Sequence, residues 1–341
     1  MDISSHIIKW YNANRRDLPW RNTHDPYKIW LSEVILQQTR VEQGMPYYYR
    51  FIEKYHDINA LADASEQDIL KLWQGLGYYS RARNLHFAAK QVMNDLKGEF
   101  PKTYEEIKQL KGVGEYTAAA IASIAYGEVV PVVDGNVKRV IARLMGVQTS
   151  GNRQHKDVKA LMDEQIDPVH PGEFNQAVME FGALQCTPKS PDCGSCIFND
   201  SCFAFRNNLV DKLPAREEKK KPRNRYFSYF VIRGEDTMVL KKRTGDDIWK
   251  NLYEFPLIES NFELSPDNLL EEPDFITWFG SGARIGGAEK EYKHQLSHQT
   301  IHARYYTIEN IDPKSFPKEW KAVLLDDLED YPISRLIERF L

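Results

Sequence analysis

All four cysteines of the chain fall within seventeen positions, Cys186, Cys193, Cys196 and Cys202, as a C-x6-C-x2-C-x5-C array. A disulfide framework spreads its cysteines, whereas clustered thiols in a reducing compartment hold metal. Pro188, Pro191 and Gly194 keep this segment out of regular helix, so it can wrap a central group. Four thiolates suit either tetrahedral zinc or a [4Fe–4S] cube. Zinc ribbons carry two separate C-x2-C pairs and this array has one, which favours the cluster. Disulfides or unpaired thiols are the remaining alternative.

With 341 residues, and at about 150 residues per domain, the chain suggests two domains. No apolar run reaches the about 18 residues of a membrane span. The start, Met1 to His6, lacks the basic and apolar stretches of a secretory signal. We therefore expect a cytoplasmic protein. A net charge of −4 excludes coating nucleic acid by bulk charge, so a polyanion site must be local. Residues 1–210 carry 24 Lys and Arg against 25 Asp and Glu, and residues 226–341 carry 14 against 21. The interval 211–225 carries 7 against 3 and includes Pro214 and Pro222, which reads as a solvated linker. The expected organisation is a helical domain over 1–209, a basic linker over 210–225 with Lys219-Lys220-Lys221, and an α+β domain over 226–341.

Residues 1–205 read as successive amphipathic helices. Gly112-Val113-Gly114 interrupts one face ending at Ile107 and Leu110, and a second begins at Thr117, Ile121 and Ile124. Such a hairpin turns its second helix's N-terminal amides outward, where they can take a phosphate oxygen without net charge; glycines serving packing alone are the alternative. Downstream, Val137, Val140, Ile141 and Leu144 have helical spacing. Asp134 stands before them, as an N-cap or as a functional carboxylate. Glu33 lies among Ile29, Trp30, Leu31, Val34, Ile35 and Leu36. It sits either on a solvated stripe or desolvated with a raised pKa.

The segments Leu110-Lys111-Gly112-Val113-Gly114 and Val133-Asp134-Gly135-Asn136-Val137, followed by the four-cysteine loop, resemble the helix–hairpin–helix DNA glycosylases that carry an iron–sulfur cluster. Within that superfamily, Trp30 to Thr39, Asp17-Leu18-Pro19-Trp20-Arg21 and Gly75 to Arg81 are similar to the MutY-type adenine glycosylases. The resemblance covers about residues 5–205 and implies base excision repair on a [4Fe–4S] protein. Endonuclease III-type relatives place a lysine nucleophile two residues after the second hairpin glycine. Here that position is Tyr116, and a phenol forms no imine, so hydrolysis without strand cleavage is expected. Lys138 is read first as a phosphate contact.

On this resemblance Glu33 protonates the purine, at N7, so that adenine leaves neutral. Asp134, ionised at its helix start, steadies the oxocarbenium-like sugar, and Tyr116 and Asn136 orient carboxylates and sugar. The division of labour parallels that of two carboxylates in glycoside hydrolysis. Trp20, Arg21, Leu36 and Glu180 match adenine-pocket positions, with Glu180 accepting from the amino group. Gln38, Thr39, Leu76 and Tyr78 match residues that fill the gap and meet the opposing base. Gly112, Gly114, Lys138 and Lys189 are expected at the DNA backbone.

Beyond residue 226 the pattern changes to alternating strands, Tyr226–Ile232 and Thr237–Arg243. Trp249 to Pro256 resembles the entry to a Nudix fold, but Leu257 to Phe275 has no Arg-Glu before a Glu-Glu pair and no glycine. This half is therefore expected to bind rather than to hydrolyse. Leu296-Ser297-His298 resembles the loop with which the family's C-terminal domain meets 8-oxoguanine; capping the next strand is the alternative role. The expected fold is multidomain, an all-α glycosylase core plus an α+β Nudix-like domain. The expected substrate is double-stranded DNA with adenine opposite 8-oxoguanine or guanine, bound by a monomer in the cytoplasm, at the nucleoid in a prokaryote. Rival readings are an endonuclease III-type glycosylase–lyase, a non-enzymatic DNA-binding module and a Nudix pyrophosphatase.

Overall fold

The computed structural model describes residues 3–215, 221–311 and 316–341. Arg216 to Lys220, in the expected linker, lie outside the described residues. The chain divides into two compact units, one of Met1–Asp63 with Asn84–Glu218 and one of Ala64–Arg83 with Lys219–Leu341. In chain order the helices are α1 (Ile3–Asn14), α2 (Pro26–Leu36), α3 (Val41–Lys54), α4 (Ile58–Asp63), α5 (Glu66–Leu72), α6 (Ser80–Asp95), α7 (Tyr104–Ile107), α8 (Glu115–Tyr126), α9 (Gly135–Met145), α10 (Gly151–Gln165), α11 (Pro171–Leu184) and α12 (Phe203–Arg206). The segment 64–83, which carries α5 and the start of α6, groups with the C-terminal residues.

In the first unit, α9 buries Val137, Val140, Ile141 and Leu144 against α10 and α11, in a core that α1 shares. This is the stripe that the spacing requires. Asp134 opens the helix as its N-cap, its side chain accepting from the Val137 N–H at 2.7 Å. α2 packs between α3 and α8 and is buried nearly all round: from Tyr27 to Ile35 only Lys28 escapes burial. Two glycines fix close approaches. A Cβ on Gly182 would stand 2.6 Å from the Asn136 Cβ, so α11 can lie this near α9 only with glycine there. Gly112 has φ +79° and a Cβ there would meet Asn84 at 2.5 Å, so the hairpin turn excludes a side chain on two counts. α7, one short turn capped by Thr103 and Glu106, leads into that hairpin, and α8 starts at Gly114 with no side-chain cap. Its first amides are thereby left for another partner.

The second unit holds β1 (Arg223–Val231), β2 (Thr237–Lys242), β3 (Tyr253–Glu254), β4 (Leu257–Ser260), β5 (Arg284–Gln295), β6 (Gln299–Glu309) and β7 (Lys321–Leu324), with α13 (Pro266–Leu270), α14 (Pro273–Phe279) and α15 (Arg335–Glu338). A four-stranded mixed sheet runs β4-β1-β6-β5, and a three-stranded one runs β3-β2-β7. Phe227, Tyr229, Ile301 and Tyr305 face one core with α15. Phe230 and Tyr306 face the other, with Phe275 and Phe279 of α14. β1 begins at Arg223, three residues earlier than the sequence suggested. Leu213, inside the stretch expected to be solvated, is 5% exposed, and its carbonyl accepts from Arg143 Nε of α9 at 2.9 Å.

Candidate active site

Glu33, Asp134, Tyr116 and Asn136 line one cavity of about 360 Å³ in the first unit, together with Trp20, Arg21, Leu36, Thr39 and Glu180. The buried helix α2 leaves Glu33 no solvated stripe, and its side chain is 9% exposed. Burial pushes its carboxyl up to about 7, with the Tyr116 hydroxyl working against the rise and the charge of Asp134 adding to it. Burial likewise raises the Tyr116 phenol well above its ordinary value. Its hydroxyl also reaches Met179 Sδ at 3.6 Å.

Asp134 serves its helix and the cavity together. One carboxylate oxygen caps α9, and Asn136 Nδ2 donates to the other at 2.9 Å. Arg139 Nη2 in turn donates to Asn136 Oδ1 at 2.8 Å and to the Gly182 carbonyl at 2.7 Å. Sequence reasoning gave Asp134 as ionised. Burial pushes its pKa upward, while the Val137 amide and Asn136, both donating to the carboxylate, favour the ionised form. The two carboxyls differ in both respects: Glu33 is buried, whereas Asp134 is half-buried and accepts from Val137 and Asn136.

Glu180 needs a larger correction. It was expected to accept from an adenine amino group, yet five donors already converge on it. Arg16 donates its backbone N–H and Nε to one oxygen, at 2.9 and 3.0 Å, and Arg21 Nη1 adds a third bond at 2.8 Å. Arg16 Nη2 and Arg21 Nη2 hold the other oxygen at 2.7 and 2.6 Å. A carboxylate offers about four lone-pair sites, so Glu180 is filled. Although burial works to raise its pKa, the arginines hold it down at about 2. It clamps the two guanidiniums on the cavity wall. Arg16, which also lines the cavity, was missed by sequence reasoning. Trp20 is 8% exposed and packs edge-on against Tyr48.

Among the expected DNA contacts, Gln38 is exposed with φ +56° just beyond α2, and Thr39 is half-buried. Gly114 has open space where a Cβ would stand. Lys138, one turn into α9, is half-buried, and Lys189 is exposed beside Cys186. In the second unit Tyr78 is 48% exposed with φ +47°. Leu76, expected to fill the duplex gap, is 5% exposed and packed inward, so Tyr78 is the protruding member of the pair. The Tyr78 hydroxyl and Ser297 Oγ share a 2.5 Å hydrogen bond. Both line a cavity of about 550 Å³ with Trp249, His294, His298 and Gln299.

The four cysteines form no disulfide and line a common cavity with Arg143, Phe181 and Phe198. Arg143, buried on α9, donates to Cys186 Sγ at 3.5 Å and to the Thr187 carbonyl at 2.7 Å. A cationic donor against soft thiolates around a shared space fits an anionic iron–sulfur cube. Cys186, Cys193, Cys196 and Cys202 are the residues that hold it.

Three family models match the chain: the HhH-GPD superfamily of base excision DNA repair proteins over residues 31–168, the iron–sulfur binding domain of endonuclease III over 186–202, and the NUDIX domain over 228–341. An adenine DNA glycosylase of Buchnera aphidicola subsp. Schizaphis graminum is 32% identical, over 99% of this chain and 98% of that protein. One from Buchnera aphidicola subsp. Baizongia pistaciae is 35% identical, over 87% of this chain and 83% of the relative. Among solved structures, a thermostable thymine-DNA glycosylase is 32% identical with a TM-score of 0.56, covering 60% of this chain and 95% of that one. With a helical glycosylase core, a [4Fe–4S] loop and a Nudix-like domain all in place, the chain belongs to the adenine DNA glycosylases.

Proposed function

We propose that the enzyme excises adenine paired with 8-oxoguanine, and more weakly with guanine, from double-stranded DNA, leaving an abasic site and an intact strand. The observation that carries this reading is the pairing of Glu33, raised to about 7, with Asp134 in one cavity. The target nucleoside leaves the stack, and its base enters between Trp20, Leu36 and the Arg16–Arg21 wall. Protonated Glu33 delivers its proton to the purine as the glycosidic bond breaks, so the leaving group is neutral adenine. Asp134 carries the compensating negative charge beside the sugar, fixed in place by Asn136 and the α9 amide. Glu33, now ionised, takes a proton from the attacking water. Tyr116 orients Glu33, and it occupies the sequence position at which endonuclease III-type relatives carry their lysine.

The opposing base is read in the second unit, where Ser297 and His298 offer donors and acceptors to the N7–H and O8 that distinguish 8-oxoguanine. Tyr78 is the wedge. Gln38, Thr39, Lys138, Lys189 and the amides after Gly112 and Gly114 hold the backbone. The cluster fixes the loop between α11 and α12, which presents Lys189. The enzyme acts as a monomer, at the nucleoid in a prokaryotic cytoplasm. Single-turnover excision from a duplex with one A:8-oxoguanine pair, read by alkali cleavage, is the test. Glu33→Gln and Asp134→Asn each lose activity if the mechanism holds, and retention by both overturns it. Borohydride trapping of a covalent complex would instead establish a lyase.

A further inference from the structure

Two of the walls of the cavity that holds Ser297 and Tyr78 come from separate segments, and both are tied to one buried guanidinium. The first wall is the tight turn from β5 to β6. It is closed by the Leu296 N–H on the Gln299 carbonyl at 2.8 Å and by the Arg223 N–H on the His298 carbonyl at 3.1 Å. The second is the segment joining β2 to β3, which brings Asp247, Ile248 and Trp249 to the cavity. That segment is not held by regular structure: Trp249 and Asn251 both have positive φ, 59° and 67°.

Arg225 of β1 is 4% exposed. Its Nη1 donates to Gln299 Oε1 at 3.1 Å, at the base of the Ser297–His298 turn. The same guanidinium pairs with the Asp247 carboxylate, Nη1 at 3.2 Å and Nη2 in closer contact. Nε and Nη2 take both oxygens of Glu259 on β4, each at 2.6 Å. Arg243 completes the second wall, with Nη2 on Asp247 at 2.8 Å and Nε on the Ile248 carbonyl at 2.9 Å. Phe227 lies under both guanidiniums, 5.1 and 5.5 Å from its ring centre.

We infer that Arg225 is the positioning residue that sets the separation and orientation of the two walls, and thereby the discrimination between 8-oxoguanine and guanine opposite adenine. The inference rests on the second-unit cavity being the place where the opposing base is read. The two bases differ by one donor and one acceptor. Discriminating them needs hydroxyl and imidazole groups held to a fraction of an ångström; backbone bonds close each wall on itself, and the Arg225 guanidinium ties one wall to the other. A planar fork with five donors can hold Gln299, Asp247 and Glu259 together, and a lysine ammonium cannot. Arg225 does not line the cavity, so it acts through the walls.

The test compares the full-length holoenzyme with Arg225→Lys, Asp247→Asn and Gln299→Met, the last two each cutting one arm. The readout is the ratio of single-turnover rates at limiting enzyme on A:8-oxoguanine and A:G duplexes, with the melting of each variant recorded alongside. Misplaced recognition groups commonly cost one to two orders of magnitude, so we expect the ratio to fall at least about tenfold for Arg225→Lys. For each single-arm variant we expect a smaller drop. If Arg225→Lys melts early, the two single-arm variants decide. A ratio within about twofold of wild type in both of these overturns the inference. Ser297→Ala separates the two claims. If it leaves the ratio unchanged, the reading of the cavity fails. If it lowers the ratio while the arm variants do not, only the role of Arg225 fails.

Discussion

Neutralising Glu33 should make the protein more stable and less active, and the size of the first effect follows from its surroundings. The folded protein raises this carboxyl from 4.5 to about 7, chiefly through burial. That is about 300-fold in proton affinity, or about 3 kcal/mol. The charged form is the one disfavoured by folding, so the penalty is absent below the unfolded pKa. It grows as pH rises and is complete once pH passes the folded pKa. Replacing Glu33 with Gln removes an ionisation that costs under about 1 kcal/mol at about pH 5 and about 3 kcal/mol at about pH 8. Urea unfolding of the two proteins at both pH values, followed through the helical signal, measures this difference. The variant should gain stability over wild type at the higher pH and little at the lower. On the proposed mechanism the same proton is the catalytic one. The single-turnover excision rate should therefore hold below about pH 7 and fall about tenfold per pH unit above it. A Glu33→Gln variant no more stable than wild type at about pH 8, with a wild-type rate flat across that range, would mean that Glu33 is solvated. The argument from burial would then be refuted.

Glu180→Gln leaves two guanidiniums around a neutral amide and should destabilise the first unit by about 3 kcal/mol, measured by thermal melting near neutral pH. Because the wild-type carboxyl is held at about 2, the clamp's stabilisation is complete above the usual carboxylate range. It is lost only as pH falls through that value. Arg139→Gln removes the donor to Asn136 and the Nε bond to the Cys186 carbonyl, and should slow single-turnover excision about 10- to 100-fold while helical content is kept. Gly112→Ala forces a Cβ into φ +79° against Asn84; it should cost at least about 1 kcal/mol in melting experiments and weaken duplex affinity.

Much of the helical unit was legible because its signals are local. The α9 stripe, the hairpin glycines, the cysteine spacing and the apolar setting of Glu33 each lie within seventeen residues, and periodicity, spacing or turn chemistry reads them directly. What escaped depends on distant pairs. Arg16 sits in the polar run Asn12 to Asp17 with nothing to mark it, because its partner Glu180 is 164 residues away. The same separation hid the saturation of Glu180, which the resemblance presented as an acceptor for an amino group. Leu76 was matched to a gap-filling position by resemblance, which says nothing of its packing; it is 5% exposed and leaves protrusion to the amphipathic Tyr78. In the second unit the strands were readable from alternation. The Arg225 assembly was not, since its carboxylates come from two other segments.

The double duty of Asp134 bears on how this enzyme can change over evolutionary time. A carboxylate that also terminates a helix is locked in one rotamer before any substrate arrives, so it needs no reorientation when charge builds on the sugar. The same arrangement removes the usual latitude for conservative replacement. Glutamate would keep the charge but overshoot the Val137 amide, and asparagine would keep the cap but lose the charge. On the proposed mechanism, selection for a firm α9 and selection for rapid excision act on one side chain, and neither can be relaxed without the other.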